Sequence, residues 1–310
     1  MLPSLRAVTV LTGFFLLTVT LIPVQAAFKR LSPRRARTLP NWYHRRVCRL
    51  IGVRIEVDGE LHKSNGVLLV SNHISWLDIP VLSAVAPVSF VAKREVGTWP
   101  FVGTLARLQR SVFVDRERRT AVAGTTNEIL ARLKAGDNVV LFAEGTSSDG
   151  NRVLPFKTSL FGAAKPGKST PGAGEDGDVV VQPMAIAYTG HHGLPLSRRE
   201  RPMVAWYGDM ELAGHAWELL KSGPLEVRIS IGTPVPLTDF ADRKDLARYT
   251  EVHVRHQMAA LLRHQTPGAA RQPGPDATTA GLQDQVGSAM ESGRDAATDE
   301  RRTSRPSTVG

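Results

Sequence analysis

The chain has 310 residues, 42% hydrophobic and 22% charged, an ordinary composition for a folded domain with a full core. Its single cysteine, Cys48, excludes an intrachain disulfide and a cysteine-built zinc site. The net charge of +10 sits at the N-terminal end: ten Lys/Arg precede the first acidic residue, Glu56, and subtracting them from 39 leaves 29 basic against 29 acidic residues. A nucleic-acid binder would spread its basic footprint over a folded face, so that class is not expected.

From Ala7 to Phe28 run 22 uncharged residues, enough to cross a hydrocarbon core of roughly 30 Å as a helix rising about 1.5 Å per residue. Residues 1–28 therefore read as a transmembrane anchor. A cleaved secretory signal is the rival, since Val24-Gln25-Ala26 is a small-residue run of the kind a signal peptidase cuts. Only Arg6 and the amino terminus precede the stretch, whereas Lys29, Arg30, Arg34, Arg35 and Arg37 follow it closely. This bias predicts a cell-membrane protein with a single N-terminal span and its catalytic domain on the cytoplasmic side. Residues 29–52 continue as a basic membrane-proximal segment. Within it Trp42, Tyr43, Val47, Leu50 and Ile51 recur at near-helical spacing between Arg45, Arg46 and Arg49. This is an amphipathic helix on anionic lipid, an ordinary domain helix with a solvated basic face, or both.

Residues 53–264 alternate short apolar runs with longer helical patterns. Strands are predicted over 53–57, 66–71, 88–92, 111–114, 138–142, 179–188, 203–207 and 225–231. Helices are predicted over 77–86, 100–108, 118–134 and 240–263. The order implies an α/β domain: a mostly parallel central sheet flanked by helices, with right-handed crossovers. Residues 166–178 and 190–202 read as loops. Residues 265–310 have almost no large apolar side chains and read as a disordered tail.

His73 follows an apolar run ending in Ser71-Asn72, at the carboxyl edge of the sheet, where α/β proteins place ligands. Asp78 lies five positions on. In one regular helix that spacing points the two side chains about 140° apart, so they meet only if His73 belongs to the turn and Asp78 to the first helical turn. A carboxylate on one imidazole nitrogen fixes the tautomer and leaves the other nitrogen free to take a proton from a hydroxyl. Alone, Asp78 reads equally as a carboxylate at a helix N-terminus. Asp115-Arg116 closes a later strand, and an arginine fork suits phosphate. Glu144-Gly145-Thr146 closes another: Gly145 allows close approach of the backbone, and Thr146 offers a hydroxyl and an amide to an anion. Glu144 reads also as a buried acid bridging loops. Lys157 is a second candidate phosphate cation or a solvated surface lysine. Neither a Gly-x-Ser-x-Gly elbow nor a Walker-type loop occurs.

These blocks, in this order, resemble the 1-acylglycerol-3-phosphate (lysophosphatidate) acyltransferase family. Its N-H-x-S-x-x-D motif falls on Asn72, His73, Ser75 and Asp78, and its aromatic-aliphatic-Asp-Arg run on Phe113 to Arg116. Its F-x-E-G-T falls on Phe142, Glu144, Gly145 and Thr146, and its proline-bearing strand on Val181 to Met184. The resemblance covers about Gly52 to Pro236. It implies that His73 deprotonates an acceptor hydroxyl, that Asp78 orients it, and that the hydroxyl attacks an acyl thioester on coenzyme A or acyl carrier protein. No cofactor or metal is expected. Arg116, Glu144, Gly145, Thr146 and Lys157 would hold the acceptor headgroup.

One departure bears on the acceptor. Many lysophosphatidate enzymes continue Glu-Gly-Thr with arginine, whereas this chain continues Ser147-Ser148-Asp149-Gly150. The run from Phe142 to Phe156 looks like the branch that includes lyso-ornithine lipid acyltransferases. The leading expectation is acylation of 1-acyl-sn-glycerol-3-phosphate to phosphatidate, the alternative is a lyso-ornithine lipid acceptor, and a catalytically silent lipid-binding module is a third reading.

Overall fold

A computed structural model of the chain describes residues 3–63, 66–114, 119–163 and 179–263. The expected loop at 166–178, Asp115-Arg116 and the expected tail lie outside the described residues.

The uncharged N-terminal run forms α1 (Pro3–Leu31), of mean hydropathy 2.2 in its most apolar stretch and long enough to cross a membrane. Proline opens it, where no amide partner is needed, and Lys29 and Arg30 complement the helix dipole at its end. After Ser32 the chain enters α2 (Pro33–Ile51), so the helix signalled by Trp42 to Ile51 begins nine residues before Trp42. Gly52, at φ 86°, closes α2 by donating its N–H to the carbonyls of Cys48 and Arg49. Pro40 inside α2 has no N–H to offer the Ala36 carbonyl one turn back, and Gln25 of α1 donates to that carbonyl at 2.9 Å. Gln25 also donates to Leu108 O at 2.9 Å, Thr18 meets the Tyr43 hydroxyl at 2.7 Å, and Arg6 donates to the carbonyls of Ile51 and Leu220. These polar groups of α1 thus face the domain. Its other face leaves Leu5, Val8, Phe15, Leu16 and Val19 exposed.

The sheet comprises β1 (Val53–Asp58), β2 (Val67–Ser71), β3 (Val88–Lys93), β4 (Val112–Val114), β5 (Asn138–Phe142), β6 (Val180–His191), β7 (Leu194–Pro195), β8 (Leu225–Ile231) and β9 (Val235–Pro236). Its order is β1-β8-β6-β2-β5-β3-β4, with β7 and β9 both on β6. All adjacent pairs along that order are parallel except β6 with β8. β2 is buried at every position, as its unbroken apolar run requires of a strand covered on both faces. α3 (Asp78–Val85), α4 (Val102–Leu108), α5 (Arg119–Lys134), α6 (Leu212–Ser222) and α7 (Arg243–Leu262) complete the domain.

Three readings change. Residues 203–207, expected as a strand, follow a short 3-10 turn over Arg201–Met203 without pairing in the sheet. Pro202 has no N–H for a ladder, and Trp206 N donates instead to Ile74 O at 2.9 Å. The loop expected from 190 is a hairpin, in which His192 and Gly193, at φ 52° and 80°, turn β6 into β7. Helix α6 was not anticipated. In the register, Ser71 stands between Phe142 and Met184, so the carboxyl ends of β2 and β5 and the proline-bearing segment of β6 come level in one row.

Candidate active site

After Ser71 the chain leaves the sheet, runs irregularly through 72–75, and enters α3 at Asp78. This transition brings His73 Nδ1 within 2.8 Å of Asp78 Oδ2. Asp78 is completely buried, and its ionised form is surrounded by donors. Oδ2 also accepts from the backbone N–H groups of Ile74 at 2.7 Å and Ser75 at 3.0 Å, and Oδ1 accepts from the Tyr188 hydroxyl at 2.7 Å. With Nδ1 turned to the carboxylate, the neutral imidazole places its proton on that nitrogen and presents a lone pair at Nε2. The imidazole lies flat on Phe142, ring centroids 4.0 Å apart and planes 16° apart, and its side chain remains 19% exposed. The neutral ring is a hydrogen-bond acceptor on a partly exposed side chain, fixed in tautomer and tilt. It can remove a proton from a hydroxyl.

Glu144, directly beyond β5, is buried and bridges the two sides of this turn. Oε1 accepts from His73 N at 2.9 Å and Oε2 from Leu154 N at 2.9 Å. Burial pushes its carboxyl up to about 8, against the lowering effect of the two N–H donors and with a smaller rise from Asp78. Burial and the adjacent Asp78 carboxylate also hold the Tyr188 hydroxyl well above its ordinary range, so it stays a donor. Asn72 fastens the turn to β6, donating to Ile186 O at 3.0 Å and accepting from Ile186 N at 2.9 Å.

The candidates named from sequence are distributed unevenly about this centre. His73, Asp78 and Glu144 form one network. Gly145, at φ 73°, makes the turn out of β5, donating to Phe142 O at 3.1 Å, with Thr146 exposed beside it. Lys157 has an exposed side chain, and its backbone N–H donates to Ala143 O at 2.9 Å. Arg116 lies outside the described residues.

A family model described as Acyltransferase matches residues 53–187, which span His73, Asp78 and Glu144. A lyso-ornithine lipid O-acyltransferase of Brucella abortus is 50% identical over 87% of this chain and 100% of its own length. This chain belongs to the lysolipid acyltransferase family. A second lyso-ornithine lipid O-acyltransferase, of Rhizobium meliloti, is 45% identical over 87% of this chain and 92% of its length. A 1-acyl-sn-glycerol-3-phosphate acyltransferase of Neisseria meningitidis is 32% identical over 63% of this chain and 70% of its length. The crystal structure of a 1-acyl-sn-glycerophosphate acyltransferase from Thermotoga maritima shares the fold, with a TM-score of 0.58 at 23% identity over 84% of this chain and 97% of that one.

Sequence reasoning on this acyltransferase missed Tyr188 and the segment 201–206. Tyr188 lies 110 positions from Asp78, and its only local signal is a phenol hydroxyl closing the apolar run 184–187 of a buried strand, which calls for a buried partner. Trp206 reaches the site through its backbone, donating to Ile74 O, which no side-chain pattern announces.

Proposed function

We propose that this acyltransferase transfers a fatty acyl group from an acyl thioester, on coenzyme A or acyl carrier protein, to the free hydroxyl of a lyso-ornithine lipid. His73 Nε2 takes the hydroxyl proton as the oxygen attacks the thioester carbonyl. Asp78 holds the imidazolium that forms. When the tetrahedral adduct collapses, the C–S bond breaks and the proton passes from His73 to the leaving thiolate, which departs as a thiol. The observation that carries the reading is the 2.8 Å contact of His73 Nδ1 with a fully buried Asp78, on an imidazole side chain that stays partly exposed.

Two relatives named lyso-ornithine lipid O-acyltransferase support this acceptor, as does Ser147, where many lysophosphatidate enzymes carry arginine. The second reading, 1-acyl-sn-glycerol-3-phosphate as acceptor, has in its favour the Neisseria relative. The enzyme works at a membrane, with the exposed apolar face of α1 in lipid and the basic segment after it on the cytoplasmic side.

The test is thiol release from a long-chain acyl thioester by the purified full chain, with each lysolipid in turn. Turnover of lyso-ornithine lipid at a kcat/KM at least tenfold above that of lysophosphatidate supports the acceptor, and the reverse preference overturns it. Retention of full activity by His73→Ala would overturn the mechanism.

A further inference from the structure

The segment after Gly145 and the segment 201–206 are both fastened to the His73 turn. Ser148 N donates to His73 O at 2.9 Å, Trp206 N donates to Ile74 O at 2.9 Å, and the Ser147 hydroxyl donates to Trp206 O. Gly150 is buried between them, where a Cβ would lie 3.3 Å from Ile74 Cγ2 and 3.7 Å from Arg201 Cβ. On this frame Asn151 stands between two opposite charges. Its Nδ2 donates to Asp149 Oδ2 at 3.2 Å, its backbone N–H donates to Asp149 Oδ1 at 3.0 Å, and its Oδ1 accepts from Arg201 Nη1 at 3.1 Å.

Carboxylate and guanidinium are therefore held apart by one amide, where direct pairing would be the simpler outcome. Among the described residues neither is in an ion pair, whereas Asp137 takes Arg37 and Arg110 directly. Arg201 Nε is buried without a hydrogen-bond partner among the described residues, and both side chains are only half-exposed. A half-desolvated charge gains more from an arriving counter-charge than a solvated one. A phosphate would meet Arg201 but be repelled by Asp149. A group carrying one positive and one negative charge satisfies both.

We propose that Asp149 and Arg201 are the receptor for a zwitterionic headgroup, Asp149 taking its ammonium and Arg201 its carboxylate, with Asn151 setting their spacing. An ornithine headgroup has those two charges and no phosphate, so the inference rests on the acceptor reading above and names the residues that would enforce it. It accounts for the absence of arginine at 147, because a guanidinium there would crowd the ammonium.

The experiment measures kcat/KM of the full chain for lyso-ornithine lipid, for its N-acetylated form, in which the ammonium is removed, and for its methyl ester, in which the carboxylate is removed. The unmodified enzyme should lose at least tenfold to either change. Asp149→Asn should become indifferent to acetylation while remaining sensitive to esterification, and Arg201→Gln should show the opposite pattern. Arg201→Lys, which keeps the cation should the glutamine variant fail to fold, should retain part of the ester discrimination. Equal losses on all three acceptors, the signature of a merely structural role, overturn the receptor. So does wild-type discrimination retained in both variants. An unmodified enzyme that turns over lysophosphatidate but no ornithine lysolipid instead overturns the acceptor reading, and the receptor falls with it.

Discussion

The turn from Asn72 to Asp78 and the loop from Ser147 to Asn151 lie against each other yet are built on opposite lines. In the turn, Asp78 is buried and takes donors from His73, Ile74, Ser75 and Tyr188, so its charge is spent inside the protein. In the loop, Asp149 and Arg201 are kept from each other by Asn151, and their charge is left for something that arrives. The first arrangement fixes one proton and serves any acceptor with a hydroxyl. The second can distinguish acceptors by what else they carry. Chemistry and selectivity are thus separable, and substitutions should separate them.

The largest effect is expected in the turn. His73→Ala should lower kcat by about 10²–10⁴ for every acceptor, because the proposed general base is common to all. The far-ultraviolet circular dichroism should be unchanged. A loss confined to one acceptor would mean that the turn, too, selects.

Glu144 joins turn to loop through His73 N and Leu154 N, and its carboxyl is raised from 4.5 to about 8, chiefly by burial. Between those values the folded protein binds a proton that the unfolded chain has released. The stability contributed is full below about 4.5 and is lost as pH rises through about 8. Glu144→Gln does not titrate, so the unfolding free energy of the wild-type protein minus that of the variant, from urea melts, should fall between pH 5 and pH 8 by on the order of a few kcal/mol. A rise over the same interval would show that the two backbone donors outweigh burial.

Much of the turn was legible in the sequence because it is local: a strand ending, a histidine, and an aspartate at the next helix start determine where both side chains go. The sheet was legible for a similar reason, since doubly buried parallel strands write unbroken apolar runs such as 67–70 and 139–142. The loop was less so. Residues 203–207 have the apolar content of a strand, but Pro202 and the bond from Trp206 N to Ile74 O give them other work. The pairing of Asn151 with Arg201, 50 positions away, depends on that refolded segment and left no pattern. Arg201 lies within 190–202, which the sequence presents only as a loop.

Tyr188→Phe sharpens the comparison at lower cost. It removes one donor from a buried carboxylate that keeps three others, and should destabilise the fold by about 1–3 kcal/mol. Asp78 still holds His73, so kcat should fall only several-fold and KM should stay put. Urea unfolding together with steady-state kinetics checks both. A kcat loss as large as that of His73→Ala would place the Tyr188 hydroxyl in the proton path.

The smallest effect tests whether loop and turn are mechanically coupled. Gly150 and Gly193 have nearly the same backbone, φ 77° and 80°, and alanine at either should cost about 1–2 kcal/mol for the left-handed conformation. Their surroundings differ. A Cβ at Gly193 meets nothing within 4 Å, whereas one at Gly150 presses on the Ile74 side chain at 3.3 Å, next to the residue that bears the imidazole. Gly193→Ala should therefore shift Tm and leave kcat alone. Gly150→Ala should shift Tm by a similar amount and also lower kcat two- to fivefold, because displacing Ile74 tilts an N–H that holds Asp78. Equal kcat in the two variants would mean that the turn keeps its geometry without the loop, and that the two regions touch without constraining each other.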